Sequence, residues 1–321
     1  MEKRRLGKTN LEVSVIGLGL WAIGGKDWGA TDDRESLNTI DAALDAGINF
    51  LDTADVYGDG HSEQLLGEAM QGRRERFIVA TKIGWIGFDE ERRCSGYTSP
   101  QQIIAGVEES LRRLRTDHVE VIQRHIDFPD PTAEVFLEGF QALQRAGKVR
   151  AYGLSTSDFA FLQQFNADGG CATLQIDYSL LNRTPEAEIL PYCKAQDIGV
   201  IVRGPLAMGI LTGKFSAGTR FGENDFRRRW SESEEERKVF LEDLAIVERL
   251  RPLATGRTLA QLALQFSIDH PAVTTSIPGA KTVAQLGENV AATGLPQLNA
   301  AARAEIDRII PPGQGRKIWP A

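Results

Sequence analysis

The sequence predicts an α/β protein: a closed, parallel (β/α)8 barrel with a short N-terminal β-hairpin and a long loop after the seventh strand. Three observations carry that expectation. Short β-branched runs alternate with helical stretches from residue 12 to about residue 290. There are eight such runs, the number at which a parallel sheet with crossovers closes on itself. No linker or low-complexity tract breaks the alternation, so residues 1–321 read as one barrel domain.

The elements follow in order. Arg4–Leu6 and Leu11–Val13 flank Gly7-Lys8-Thr9-Asn10, a hairpin signal ahead of the barrel. The candidate barrel strands are Val13–Leu18, Asn49–Asp52, Phe77–Thr81, Val119–Arg124, Val149–Ser155, Thr173–Tyr178, Gly199–Arg203 and Thr274–Ile277. Between them, apolar residues recur at three- and four-residue spacing: Leu37, Ile40, Ala43, Leu44; then Ile103, Val107, Leu111, Leu114; then Phe136, Phe140, Leu143. Ser99-Pro100 reads as an N-cap followed by the first helical position. Gly47 and Gly147 read as left-handed helix ends. Gly204–Glu236 is long and polar, and in a barrel it follows a strand onto the face where the strands end.

Composition narrows the class. A hydrophobic fraction of 42% is too high for disorder, and no apolar run is long enough for a membrane helix. The charged start Met1–Lys8 has no apolar core of a secretory signal, and Ile318–Ala321 carries no lipidation pattern. A net charge of −7 argues against a nucleic-acid partner. Cys94, Cys171 and Cys193 are odd in number and far apart, so neither a disulfide framework nor a metal site is expected. Together these predict a cytoplasmic protein with no nucleic-acid partner and no membrane association.

Several motifs fail on inspection. Gly17-Leu18-Gly19-Leu20-Trp21-Ala22 follows a strand in the pattern of a dinucleotide-binding turn. That mechanism needs a helix to open there, and Ile23-Gly24-Gly25-Lys26-Asp27 cannot supply one. Gly209–Lys214 is one residue short of a phosphate loop, and Gly153-Leu154-Ser155-Thr156-Ser157 lacks the last glycine of a nucleophile elbow. The histidines at 61, 118, 125 and 270 make no metal-spaced pair.

The informative residues are Asp52, Tyr57, Lys82 and His125. Asp52 ends strand two and Tyr57 lies five residues on. Lys82 ends strand three and His125 ends strand four. Each alone has an ordinary explanation: a turn cap, a buried aromatic, a rim charge, a satisfied core histidine. Their joint placement at consecutive strand ends is harder to dismiss, because in a closed barrel those ends converge on one mouth.

With these residues the sequence resembles the aldo-keto reductase superfamily over nearly its whole length. The resemblance runs through Gly17-Leu18-Gly19 with Trp21, the Asp52–Tyr57 segment, Thr81-Lys82 and Ser110–Leu114. It continues through His125, Gly153-Leu154-Ser155, Gln175, Gly204-Pro205-Leu206 to Lys214, and Ile277–Ala280 to Asn289. It implies a (β/α)8 barrel, NADPH as cofactor, and reversible reduction of aldehydes or ketones. The family's catalytic tetrad falls on Asp52, Tyr57, Lys82 and His125, with Tyr57 as general acid and its pKa lowered by Lys82. Ser155 and Gln175 match positions that hold the nicotinamide carboxamide. The backbone of Leu206, Gly209 and Leu211 matches the pyrophosphate belt, with Lys214 in reach of a phosphate. Gly279, Lys281, Gln285 and Asn289 match the adenosine end, with Lys281 the candidate for the 2′-phosphate. Arg227–Arg229 in the long loop could close over the phosphates or stay solvated. Trp21, Trp85, Ile86 and Ile126 could line the substrate pocket or pack at the rim.

Two positions depart from the pattern. Thr156 stands where asparagine often follows the serine, and Arg203 stands where many members stack a tyrosine on the nicotinamide. A guanidinium is planar but brings charge. The resemblance also leaves open a cofactor-binding regulatory subunit, as in potassium-channel β subunits, or an alcohol or sugar dehydrogenase running in the oxidative direction.

Overall fold

A computed structural model describes residues 1–88, 94–125 and 133–318; the side chains of Phe88 and Cys94 lie outside the description. The hairpin pairs Lys3–Arg5 with Glu12–Ser14, Arg4 opposite Val13. Its turn depends on Gly7, at φ +53°, whose Cβ would lie 2.2 Å from the Gly199 nitrogen. Lys8 N–H donates to the Asp197 carbonyl at 2.7 Å, so the hairpin seals the barrel end where strand seven begins.

The eight barrel strands are Leu18–Gly19, Phe50–Asp52, Ile78–Ile83, Val119–Arg124, Val149–Ser155, Thr173–Asp177, Gly199–Arg203 and Val273–Ser276. They pair in parallel and in sequence order. Bridges Ile16↔Ser276 and Gly19↔Gly279 join the first edge to the last and close the ring. The first expected strand, Val13–Leu18, is corrected: Val13 belongs to the antiparallel hairpin, while Leu18 pairs in parallel with Leu51. The segment lies between two sheets and serves both.

The helical stripes behave as their spacing predicts. Ile40, Ala43 and Leu44 are buried on helix Asp33–Asp45, and Ile103, Val107, Leu111 and Leu114 on Pro100–Leu114. Phe136, Phe140 and Leu143 are buried on Ala133–Arg145. Ser99 caps the second of these by accepting from Gln102 N–H, with Pro100 at the first position. Gly47 and Gly147 take φ of +86° and +74° after their helices.

Period-2 alternation divides the core. Leu51, Ile122 and Val202 face outward into the layer beneath the helices. Phe50, Ala80, Val121 and Ile201 face inward and, with Leu6, Val13 and Ile277, fill the barrel floor. Two residues further along each of those four strands, the same inward face carries Asp52, Lys82, Gln123 and Arg203. An apolar floor thus gives way to a polar layer within one step of the pleat.

The segment after strand seven is more ordered than a loop. It holds short turns at Ala207–Thr212, Phe226–Arg228 and Arg229–Glu232 before helix Glu234–Leu250. Its aromatics explain this: Phe215, Phe221 and Trp230 pack around Phe240 with ring centroids 5.5–6.3 Å from it. No helix among the described residues is long and apolar enough to cross a membrane.

Candidate active site

Asp52, Tyr57, Lys82 and His125 meet at the inner end of one cavity of about 850 Å³. Lys82 is fully buried beneath the wall. Its Nζ donates to Asp52 Oδ1 at 2.5 Å, to the Thr53 carbonyl at 2.7 Å and to the Tyr57 hydroxyl at 3.2 Å. All three donors of the ammonium are therefore used, which fixes its position. Asp52 Oδ2 also accepts from Gln175 Nε2 at 2.7 Å and Gln123 Nε2 at 3.4 Å. The His125 ring meets Tyr57 edge to face, with centroids 5.7 Å apart. Its Nδ1 is buried with no hydrogen-bond partner among the described residues.

The loop presenting Tyr57 is anchored at both ends. Thr53 Oγ1 and Ser62 Oγ lie 2.8 Å apart, and Ser62 donates to the Leu20 carbonyl at 3.0 Å. Gly58, at φ +61°, lies against the turn Trp21–Gly24; a Cβ there would sit 2.0 Å from the Gly24 oxygen. That turn is a single 3-10 turn, which is why the Gly17–Ala22 motif opens no dinucleotide-binding helix.

Burial pushes the Tyr57 pKa up and the Lys82 ammonium pulls it back, with burial the larger. Lys82 lowers the phenol's pKa as expected, but burial, which the sequence did not show, outweighs it, and the phenol is held protonated. Burial pulls the Lys82 pKa down, but Asp52 and Tyr57 outweigh it and the ammonium stays charged. Burial pushes Asp52 up against the opposing pull of Lys82, Gln175 and Gln123; at 2.5 Å from the ammonium it is the ionised partner. His125 is driven well below its ordinary range by burial, then by the charges of Lys82 and Arg203, so the imidazole is neutral.

Two indoles flank these groups. Trp21 stacks on Tyr57 with centroids 5.8 Å apart, and Trp85 on His125 at 5.2 Å. Both line the cavity, as does the exposed Ile86. Ile126 lies outside the described residues.

From there the cavity runs past Ser155, Gln175, Arg203, Leu206, Gly209 and Lys214 to Gly279, Lys281, Gln285 and Asn289. Leu211 is the exception. It is fully buried in the core, and its N–H and that of Gly209 both donate to the Leu206 carbonyl. Ala207, Met208 and Gly209 take φ of 48°, 54° and 95°, three left-handed residues in a row. Lys281 Nζ donates to the Trp28 carbonyl, and its backbone N–H donates to Gln285 Oε1 at 2.8 Å. Burial and then the nearby Arg227 charge lower the Lys281 pKa, with Asp225 opposing.

The three loop arginines separate. Arg227 forms a bidentate pair with Asp225 at 2.6 and 2.8 Å and lies 4.8 Å over the Trp28 ring at the cavity wall. Arg228 pairs with Glu232, and Arg229 with Glu236 at 3.1 Å, away from the cavity. The Trp28↔Asp225 bridge and the Trp21–Phe226 stack, 5.5 Å between centroids, dock this segment onto the loop after strand one. Sequence reasoning missed that strap, because its two halves are nearly 200 residues apart. It also missed Gln123, although that residue sits on the same inward face as Val121, one step beyond it.

Comparison with known proteins agrees with this geometry. The family described as Aldo/keto reductase family matches residues 15–311. The chain is 36% identical to the aldo-keto reductase YhdN of Bacillus subtilis (strain 168), covering 97% of this chain and 94% of the relative. It superposes on a glycerol dehydrogenase of Gluconobacter oxydans with a TM-score of 0.84 at 33% identity, covering 100% and 98% of the two chains. A Klebsiella pneumoniae aldo-keto reductase in complex with NADPH gives 0.74 at 28% identity, covering 98% and 97%. The chain belongs to the aldo/keto reductase family, NADP-dependent oxidoreductases that act on carbonyl and alcohol groups.

Proposed function

We propose that this protein reduces aldehydes or ketones to alcohols with NADPH, using Tyr57 as general acid. The observation that carries the reading is the Tyr57 hydroxyl at the cavity end, 3.2 Å from an ammonium that is itself paired with Asp52 at 2.5 Å. The bound nucleotide would supply the hydride. Tyr57 would donate its proton to the carbonyl oxygen, and Lys82 would stabilise the phenolate left behind. Asp52 would hold Lys82 in place. Neutral His125 would orient the carbonyl by hydrogen bonding without adding a charge.

The distal part of the cavity suits a phosphorylated nucleotide. Successive left-handed residues at 207–209 curve the backbone into a concavity of the kind that receives anions. Arg227 and Lys281 stand as like charges that an anion would relieve. Lys281, Gln285 and Asn289 would hold the adenosine end, and Ser155 and Gln175 the carboxamide.

Burial keeps the Tyr57 phenol protonated, the form that donates to a carbonyl oxygen, and its conjugate base is the form that alcohol oxidation would use. Run in reverse, the same groups would oxidise an alcohol, the direction named for the Gluconobacter relative. The test is NADPH consumption with a panel of aldehydes and ketones, together with NADP⁺ reduction by the matching alcohols. Turnover of the carbonyls that is lost in Tyr57→Phe supports the reading. Absence of turnover in both directions overturns it.

A further inference from the structure

Resting on the reading of Tyr57 as general acid, we propose that Arg113 is a positioning residue for the reaction: wedged between the turn after Tyr57 and Glu63, it fixes how closely the Tyr57 hydroxyl approaches Lys82. The turn needs support from outside itself. Gly58, Asp59 and Gly60 take φ of 61°, 55° and 93°, left-handed residues directly after the acid. Such a conformation is costly for a residue with a side chain and persists where the surroundings hold it. The Arg113 side chain packs against this turn: a Cβ on Gly60 would lie 2.6 Å from its Cδ and 2.9 Å from its Nε.

The same guanidinium is tied to the strand that carries Lys82. Arg113 Nε donates to Glu63 Oε2 at 2.6 Å, and Thr81 Oγ1 donates to Glu63 Oε1 at 2.5 Å. Glu63 and Thr81 are fully buried, and Thr81 precedes Lys82 on strand Ile78–Ile83. Asp55 N–H donates to the Lys82 carbonyl at 3.2 Å, which joins the Tyr57 loop to that strand a second time. Arg113 is held in turn by its other nitrogens, with Nη2 3.2 Å from Ser110 Oγ and Nη1 3.3 Å from Glu109 Oε1. The links form a closed circuit. It runs from Tyr57 along the chain to Gly60, by contact to Arg113, through Glu63 to Thr81, and from Lys82 Nζ back to the Tyr57 hydroxyl at 3.2 Å. A planar fork of donors makes the contacts to Glu63, Ser110 and Glu109 together, whereas a lysine ammonium is a point charge and cannot hold all three in place.

The experiment compares full-length Arg113→Lys and Thr81→Val with wild type. It measures NADPH affinity by fluorescence titration, steady-state carbonyl reduction, and the pH profile of alcohol oxidation. Lysine keeps the positive charge beside Glu63, and valine keeps the shape of threonine, so a moved profile reports geometry rather than a lost charge. Both variants should bind NADPH like wild type and reduce carbonyls more slowly, Arg113→Lys by roughly tenfold in kcat, within what about an ångström of misplacement costs. In Arg113→Lys the alkaline limb of alcohol oxidation should move up by roughly one pH unit. That is the effect of adding about one ångström to the 3.2 Å separation of phenolate and ammonium at an effective dielectric of about 20. Thr81→Val should move it in the same direction by less. A merely structural role would lower thermal stability and leave the limb in place. An unmoved limb in either folded variant overturns the proposal; if Arg113→Lys does not fold, Thr81→Val alone decides. Full turnover in Tyr57→Phe overturns the acid reading and this proposal with it. Turnover lost in Tyr57→Phe but undiminished in both of these variants overturns this proposal alone.

Discussion

The two ends of the cavity are built on opposite plans. At the inner end, Asp52, Lys82 and His125 stand at the ends of adjacent strands, and all three are buried. At the outer end, Lys214, Arg227 and Lys281 ride on loops; the Lys214 side chain is 62% exposed and its pairing with Glu288 is loose at 3.9 Å. Sheet register holds one set, and aromatic contacts across the strap hold the other. The difference teaches where a change should be felt. A buried charge network couples chemistry to folding, because removing one member leaves another unpaired in a dry site. A loop cation acts on affinity, with little consequence for the fold.

The largest expected effect is at the inner end. Tyr57→Phe should lower carbonyl reduction by roughly 10²–10⁴-fold, the range of a positioned acid, with NADPH affinity unchanged by titration. Equal loss of binding and turnover would erase the contrast between the two ends. Lys82→Met should destabilise the fold by about 3–5 kcal/mol in urea denaturation, because Asp52 is left buried without its ammonium. In the same variant the Tyr57 pKa, no longer pulled down by Lys82, should climb further. The alkaline limb of alcohol oxidation would then move to higher pH, and a profile that stays in place would break the link between the two residues.

At the outer end, Lys281→Met should weaken NADPH by about tenfold, the scale of one charge-assisted hydrogen bond, and leave NADH and thermal stability nearly untouched. Parallel loss of both nucleotides would place Lys281 away from the 2′-phosphate. A further effect sharpens the comparison from beside Tyr57. Burial and then the Glu63 charge push the Asp55 pKa up to about 7. Its folded value lies above its unfolded one, so its contribution to stability is full below about pH 4 and is lost as pH rises through 7. Relative to Asp55→Asn, wild type should therefore lose stability between about pH 4 and about pH 7. Equal slopes for the two proteins would mean that Asp55 is not titrating as a buried group.

Much of the inner end was legible in the sequence, because strand alternation is local. Once Phe50 and Ala80 are inward and apolar, Asp52 and Lys82 two residues later must share their face. Four reactive side chain types at or just beyond the ends of three successive strands were thereby visible before any coordinates. The outer end was legible only in part. Arg227, Arg228 and Arg229 are indistinguishable as a run of cations, yet one is drawn under aromatic rings and two are left to surface glutamates. Leu211 could not be sorted from Leu206 and Gly209 either, since its burial depends on how a turn of left-handed residues is seated.

The sequence by itself determined seven of the eight strands, three of the helices between them and the residues available to the mouth, because periodicity, caps and turn residues act within a few positions of one another. Tertiary structure decided the charge states and the closure. The neutral imidazole and the elevated phenol pKa arise from burial that no neighbour in the chain imposes. The contact of Trp28 with Asp225 joins segments whose meeting is set by ring closure. Desolvation and long-range packing are sums over residues distant in the chain, and local pattern carries no record of them.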